Sequence, residues 1–303
     1  MTIKIVKIKN PIIKAGIESF KLFSKDALWA YHPCVIAKDG KYYMFYTGKK
    51  VGKGIAHYAC LATSDNLESW KKEKSPIDSG KNKNEWDSDF IAHPFIFKDG
   101  NKYYMLYDGS RKGNWLEEIG LAESSDLVNW KKDEKNPIFK VGKNWWETRH
   151  VSRCCVFKEK DIYYLFYAGH DGQRERIGLA IGKSLLTLKR ASEKPVLDVG
   201  YKGEWDEKSI SDPKIIKYKG TYLMFYSGIS GEGIERVGLA KSKDLKSWKK
   251  SEKNPILNVS RGKWDAISAT RGDIKVFDDK IYFFYSGKGK YFYNIGMAKL
   301  FFK

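Results

Sequence analysis

The stretch at residues 209–228, SISDPKIIKYKGTYLMFYSG, decides the fold, because near-copies of it recur along the whole chain. Each copy ends in an aromatic run followed by a glycine, and the residue ten positions before the run is Asp212 in this copy. The same count in the other copies gives His32, His93, Arg153 and Arg271. Successive copies are therefore 61, 60, 59 and 59 residues apart. A period near 60 throughout a chain of 303 residues indicates a repeat architecture.

Each repeat contains four segments that are predicted to be strands. The first begins near the counted position and ends at a hairpin turn such as Asp39-Gly40. The second is the aromatic run, and the third has the form of residues 119–122, Ile-Gly-Leu-Ala. A Ser-Asp-Leu-x-x-Trp-Lys-Lys motif follows, as at residues 125–132, and leads to a Pro-Ile segment as the predicted fourth strand. This segment begins at Pro76, Pro137, Pro195 and Pro255.

The second strands are apolar on both faces, which predicts sheets that are each covered by two neighbouring sheets. Five four-stranded antiparallel sheets packed radially form a five-bladed β-propeller, and the repeat predicts this all-β fold as a single domain over residues 1–303. The last repeat stops after its third strand, whereas residues 10–13, NPII, match the fourth-strand segment at residues 254–257, NPIL. Residues 10–13 are therefore predicted to complete the final blade and close the ring.

The formal net charge of +19, from 56 basic and 37 acidic residues, raises the question of a nucleic-acid partner. Pairs of basic residues recur in the repeats, however, at Lys71-Lys72, Lys131-Lys132, Lys189-Arg190 and Lys249-Lys250. Such an even distribution is typical of a solvated outer rim, so no nucleic-acid partner is predicted, while affinity for acidic glycans or phosphate stays open. No window approaches the roughly 18 apolar residues of a membrane span, so no membrane partner is predicted either.

The cysteines lie in apolar, strand-like segments, and two of the four are adjacent, which disfavours a disulfide framework. They are Cys34, Cys60, Cys154 and Cys155. The N-terminus alternates lysine with isoleucine and lacks the apolar core of a secretory signal, so a cytoplasmic location is predicted. No CxxC or HExxH spacing indicates zinc, and neither a metal nor a cofactor is predicted.

Three sequence motifs of the repeat and one dipeptide resemble those of a known superfamily. The motifs are FYSG at residues 225–228, RIGLA at 176–180 and DLKSWK at 244–249, and the dipeptide is Asp212-Pro213. Together they resemble the five-bladed β-propeller glycosidases, which include the arabinanase and xylosidase type, the invertase and levansucrase type, and the mannoside phosphorylases. The resemblance covers nearly the whole chain and implies a carbohydrate substrate in the central funnel. It also implies that Asp212 serves as a base, nucleophile or transition-state stabiliser.

Glycoside cleavage needs two carboxyl groups across the bond, one protonated and one ionised. Asp212 and Asp89 are predicted as base or stabiliser, because Asp89 is the only acid found four residues before a counted position. Glu147 is predicted as the acid, since it is the only glutamate among the acids that follow tryptophan in the repeats. A structural role, in which the acid fixes a turn in every repeat, stays open for Glu147.

The first repeat departs from the hydrolytic families, which usually present an aspartate where this chain has His32. We predict that His32, His93, Arg153 and Arg271 hold the substrate and make the channel unusually basic. Arginine offers bidentate contacts to phosphate, so phosphate or another anion is a possible partner, as in the phosphorylases. A non-catalytic glycan-binding propeller is a third hypothesis, from a different class.

Three further residues stand out from the repeat. Asp108 takes the place of a small residue after the aromatic run and is predicted to bind a sugar hydroxyl, with a turn acid as the other interpretation. Trp29 and Trp115 lie outside the repeat pattern and could stack on a sugar ring. The sequence as a whole predicts a glycoside hydrolase that acts on an oligosaccharide or glycoside, with a glycoside phosphorylase or a glycan-binding protein as alternatives.

Overall fold

The chain folds almost entirely into β-strands, as seen in a computed structural model that describes residues 3–8, 11–16, 24–51, 57–114 and 116–302. The strands are β1 (Ile3–Lys7), β2 (Trp29–Lys38), β3 (Lys41–Lys49), β4 (His57–Ser64), β5 (Lys71–Lys72), β6 (Phe90–Asp99), β7 (Lys102–Ser110), β8 (Glu118–Ser124), β9 (Lys131–Lys132), β10 (His150–Glu159), β11 (Ile162–His170), β12 (Glu175–Gly182), β13 (Lys189–Arg190), β14 (Ser209–Tyr218), β15 (Thr221–Ile229), β16 (Glu235–Ser242), β17 (Lys249–Lys250), β18 (Ser268–Phe277), β19 (Lys280–Lys288) and β20 (Tyr293–Phe302). A short 3-10 helix, Leu185–Thr187, precedes β13. The predicted all-β class is confirmed. Over the described ranges, no helix is both long and apolar enough to cross a membrane.

The strands pair antiparallel in successive units that follow the sequence repeat. The units are β2–β5, β6–β9, β10–β13 and β14–β17, followed by β18–β20 together with β1. Parallel bridges join neighbouring units, as between Glu235 and Ser268. A bridge of the same kind between Trp29 and Tyr293 joins the last unit to the first. Residues that are far apart in sequence therefore meet where the first strands of the units begin.

The outer strand of each unit is not where the sequence predicted it. The strands that pair with the third strands are the basic pairs β5, β9, β13 and β17. The Pro-Ile segment adds only an isolated bridge, as between Ile119 and Phe139. The prediction that this segment forms the fourth strand is therefore wrong. Proline has no backbone N–H to donate to a ladder, which explains why the segment does not extend into a longer pairing.

Two N-terminal segments lie along β20. Lys7 of β1 is opposite Ala298, as Lys250 is opposite Ala240 in the preceding unit. Ile13 bridges Ile295, which is the counterpart of the Val237–Leu257 bridge. The described residues of the predicted closing segment 10–13 thus contact β20, whereas Asn10 lies outside the described residues.

In every unit, a buried acidic residue links the segment before the first strand to the second strand. The acids are Asp26, Asp87, Glu147, Asp206 and Asp265. Each accepts a hydrogen bond from the hydroxyl group of the tyrosine twenty residues later. Each also pairs with a basic side chain from the outer strand. Because all five are at most 2% exposed, the loss of the basic partner would leave a buried charge without compensation.

Candidate active site

The counted residues of the repeats occupy one structural position, a bulge in the first strand of each unit. We call them the bulge set: His32, His93, Arg153, Asp212 and Arg271. Their backbone φ lies between 48° and 53°, and the pairing of the first and second strands skips each of them. A bulge redirects a side chain out of the strand. All five residues line a single small cavity.

Side chains from neighbouring units support four of these bulges. Thr47, Asp108, Ser227 and Ser286 accept a hydrogen bond from the backbone N–H of His93, Arg153, Arg271 and His32, respectively. The acceptors occupy equivalent positions on the second strands, and the fifth copy of this position is Ala168. The bond from His32 to Ser286, at 2.9 Å, joins the first unit to the last.

Asp212 and His32 form a buried carboxylate–imidazole pair in the cavity. Asp212 Oδ1 lies 2.8 Å from His32 Nδ1, and Ser211 donates a hydrogen bond to Asp212 Oδ2 at 2.8 Å. Burial by itself raises the pKa of Asp212, but His32 and the nearby arginines outweigh it and hold this pKa well below its usual range. Burial lowers the pKa of His32 to about 4. At neutral pH the pair is therefore an ionised carboxylate beside a neutral imidazole.

The second ring nitrogen of His32 does not contact the carboxylate. His32 Nε2 is buried and has no hydrogen-bond partner among the described residues. Because Nδ1 faces the carboxylate, the proton of the neutral ring belongs on Nδ1, and Nε2 carries the lone pair. The arrangement leaves a buried proton acceptor on a residue that lines the cavity.

A second imidazole–carboxylate pair lies beside the first. His93 Nδ1 and Asp108 Oδ2 are 2.6 Å apart, and the rings of His32 and His93 have centroids 4.1 Å apart. Burial, followed by the charge of Glu117, raises the pKa of Asp108 well above its usual value. Burial also lowers the pKa of His93. Asp108 is completely buried, and it contacts His93 and the Arg153 backbone.

A second set of side chains surrounds the bulge set where the third strands begin. We call it the mouth set: His57, Glu117, Glu175, Glu235 and Tyr293. Glu175 pairs with Arg153, and Glu235 accepts a hydrogen bond from Arg271 at 2.9 Å and another from Tyr293 at 3.1 Å. These glutamates were not predicted from the sequence. The signal was present, because a glutamate lies two residues before the Ile-Gly or Val-Gly of three third strands.

The mouth set changes the electrostatic interpretation of the channel. The sequence predicted an unusually basic channel from Arg153 and Arg271. In the structure each guanidinium has a carboxylate partner, and Asp212 adds a further negative charge. Lys214 lines the same cavity, and its Nζ contacts the carbonyl of Pro213 at 3.2 Å. The site is therefore a mixed array of both charge signs.

The other predicted site residues lie apart from the bulge set or outside the described residues. Asp89 precedes β6 and is half-buried, and its backbone N–H donates to the carbonyl of Ser110. Glu147 is one of the five buried entry acids. Trp29 packs edge-on against Tyr293, which places it beside the mouth set. Trp115 lies outside the described residues.

Both carboxylate oxygens of Glu147 accept hydrogen bonds from neighbouring side chains. It accepts hydrogen bonds from Tyr167 at 2.9 Å, from Asn144 at 2.6 Å and from Arg190 at 2.7 Å. The side chain is completely buried. The contacts with Tyr167 and Arg190 match those of the aspartates in the other units, as expected for the structural role that the repeat had left open.

Comparisons with known proteins agree with this architecture. The family described as glucosamine inositolphosphorylceramide transferase 1, N-terminal, matches residues 77–297. A transferase of that name from Oryza sativa subsp. indica is 22% identical over 203 residues, which cover 65% of this chain and 24% of the transferase. A 1,2-β-oligomannan phosphorylase from Thermoanaerobacter sp. (strain X514) is 30% identical over 222 residues, which cover 71% of this chain and 69% of the phosphorylase.

One further relative is matched over part of its length. An uncharacterised protein from Mycobacterium tuberculosis (strain CDC 1551 / Oshkosh) is 29% identical over 157 residues, which cover 50% of each chain. The chain therefore spans half the length of this relative and about a quarter of the plant transferase.

Solved structures share the fold over almost the full length. A glycoside hydrolase is 21% identical, with a TM-score of 0.79 and coverage of 97% of this chain and 92% of that chain. The β-1,2-mannobiose phosphorylase from Listeria innocua is 14% identical, with a TM-score of 0.76 and coverage of 99% and 96%. The chain shares its fold with a glycoside hydrolase and a mannobiose phosphorylase, and it belongs to the family described as glucosamine inositolphosphorylceramide transferase 1, N-terminal.

Proposed function

We propose that this protein is an enzyme that cleaves a glycosidic bond of an oligosaccharide or glycoside, with water as the attacking group. One observation carries the proposal: the ionised, buried Asp212 is paired with a neutral His32, which lines the cavity and whose buried Nε2 has no hydrogen-bond partner among the described residues. A carboxylate that orients an imidazole and leaves its second nitrogen free is the arrangement of a general base. Asp212 in addition places a negative charge where an oxocarbenium-like transition state would be stabilised.

The position of the substrate follows from the size of the cavity. The cavity within the bulge set has a volume of about 10 Å³, which is the room of about one water molecule. A sugar ring would therefore bind on the mouth side, in contact with the mouth set and Trp29. The attacking water would occupy the small cavity below it, next to His32.

The proton for the leaving oxygen must come from a second group. Asp89 and Glu147 were predicted from the sequence to share the catalytic work with Asp212. We now assign the acid role to the mouth glutamates Glu175 and Glu235, because each is partly exposed and reaches the mouth, whereas Glu147 is enclosed.

The proposal includes the predicted five-bladed, ring-closed architecture and a cytoplasmic location. The antiparallel units, the Trp29–Tyr293 bridge and the His32–Ser286 hydrogen bond support closure of the ring. All four cysteines are buried free thiols, which fits a reducing compartment. In a closed ring, the bulge residues of all units face one axis.

Phosphorolysis is the second candidate. It is favoured by the 30% identity to a 1,2-β-oligomannan phosphorylase and by Arg153, Arg271 and Lys214 around the cavity. Against it stands the pairing of both arginines with glutamates, since a phosphate site requires uncompensated positive charge. Hydrolysis is therefore the better-supported reaction.

The test is a panel of aryl glycosides and β-1,2-linked manno-oligosaccharides, incubated with and without phosphate. Release of free sugar without phosphate supports hydrolysis, and phosphate-dependent release of a sugar 1-phosphate supports phosphorolysis. Asp212→Asn should lower kcat by about 10³-fold or more, while Asp161→Asn, at an exposed turn, should leave it unchanged. Binding without any turnover would support the glycan-binding hypothesis and overturn the enzymatic one.

A further inference from the structure

Three side chains that can ligate a metal converge within the unit β6–β9. His93 on β6, Asp108 on β7 and Glu117 just before β8 each offer one ligand atom, and these atoms lie within 4.8 Å of one another. We propose that this group binds one divalent cation of the first transition row. The inference is independent of the proposed glycosidase activity.

Two unsatisfied oxygens point to a missing partner. Asp108 Oδ1 and Glu117 Oε2 are both buried and have no hydrogen-bond partner among the described residues, and Asp108 is completely buried. Buried carboxylate oxygens in proteins are normally hydrogen-bonded or coordinated to a metal, because desolvation without a partner is costly. A cation between the two carboxylates would satisfy both oxygens and remove the repulsion between them.

The other units show what this position normally holds. Glu175 and Glu235 stand at the same point of their third strands as Glu117, and each pairs with an arginine, Arg153 or Arg271. In the described part of the chain, Glu117 forms no such ion pair. Glu117, the mouth glutamate without an arginine partner among the described residues, also lies in the unit in which an aspartate, Asp108, replaces the small residue of the second strand. The cation therefore takes the place of a guanidinium group.

The donor set indicates which cation is preferred. One imidazole nitrogen and two carboxylate oxygens suit Zn²⁺ and Mn²⁺, whereas Ca²⁺ and Mg²⁺ favour shells made of oxygen alone. His93 Nδ1 lies 2.6 Å from Asp108 Oδ2, so a cation bound by both atoms would take the place of the direct contact between them. Glu117 is half-buried at the mouth, which gives a cation a route into the site.

The experiment measures metal binding to the full chain, purified without a polyhistidine tag and stripped with a chelator. Titration calorimetry with Zn²⁺ and Mn²⁺ should give one site per chain, and Mg²⁺ should bind more weakly. Glu117→Gln and Asp108→Asn should each weaken binding by about tenfold or more, in line with the loss of a metal-site contact. Glu118→Gln is the matched control, because Glu118 is the adjacent half-buried residue and contacts the backbone of Val141 instead.

Pulsed electron paramagnetic resonance of the Mn²⁺-loaded wild type should in addition show coupling to one imidazole nitrogen, a measurement that does not depend on the folding of any variant. The proposal is overturned if the folded wild type binds neither Zn²⁺ nor Mn²⁺ stoichiometrically, or if bound Mn²⁺ shows no nitrogen coupling. Undiminished binding in both Glu117→Gln and Asp108→Asn would overturn it as well.

Discussion

Replacement of Glu147 by glutamine separates a structural from a catalytic role for this residue. The carboxylate accepts hydrogen bonds from Tyr167, Asn144 and Arg190. Glutamine keeps the shape, and its amide oxygen can still face Arg190 and Asn144 while its NH₂ group faces the tyrosine oxygen. The main loss is the negative charge beside Arg190, whose side chain is 27% exposed. Because water can partly solvate the unpaired guanidinium, we expect a cost of about 2 kcal/mol rather than the roughly 3–5 kcal/mol of a fully buried broken pair.

The expected loss of unfolding free energy corresponds to a measurable decrease in Tm. A chain of 303 residues unfolds with an entropy of about 0.6 kcal/mol/K, so 2 kcal/mol lowers Tm by about 3 °C. Thermal and urea unfolding of Glu147→Gln would be compared with Glu134→Gln, an exposed acid whose Tm should not change. Turnover well below Tm should stay within about twofold of wild type. An unchanged Tm together with a large loss of kcat would refute the structural argument and restore Glu147 as the general acid.

Three further outcomes follow from the packing and charges of the site. Because burial lowers the pKa of His32 to about 4 and the neutral ring is the active base, kcat/KM should rise with pH through about 4 and then level off; a limb near 6.5, the ordinary imidazole value, would contradict this. Ser286→Ala leaves the buried His32 N–H without its acceptor and should cost about 1–3 kcal/mol in urea unfolding. Gly178→Ala places a Cβ 2.4 Å from Trp146 and 2.5 Å from Tyr167, so the urea midpoint should fall by the equivalent of about 1–3 kcal/mol; an unchanged midpoint would show that the rings can move.

The first three strands of each repeat and the positions of the bulge set could be predicted because the repeat fixes both. The hairpin between the first and second strands has nearly constant length, so counting back ten residues from the aromatic run reaches Asp212 and its counterparts in every copy. The same constancy holds for the entry acids, since each tyrosine partner lies twenty residues later. Local spacing of this kind can be read from one sequence, because the residues belong to the same unit.

The mouth glutamates could not be found by the same counting. The loops between the second and third strands vary in length, so Glu117 lies eight residues after Gly109, while Glu175 lies six after Gly169. Their arginine partners come either from the same unit, as for Glu175 and Arg153, or from the next, as for Glu235 and Arg271. Pairings between units depend on the angle between sheets, which the repeat pattern does not contain. The predicted basic channel lacked its balancing charges for this reason.

The backbone of the bulge set gives a separate reason to place chemistry there. Histidine, arginine and aspartate side chains occupy positions with φ between 48° and 53°, where glycine would be relaxed and other residues cost about 1–3 kcal/mol each. All units share the same bulge, so each position requires the same backbone conformation. That shared requirement cannot account for three different side-chain types. Strain that is retained at every copy, with side chains that differ from copy to copy, is expected where the side chains themselves are needed for function. The repeat therefore explains the position of His32 and Asp212, and the proposed function supplies a reason for their chemistry.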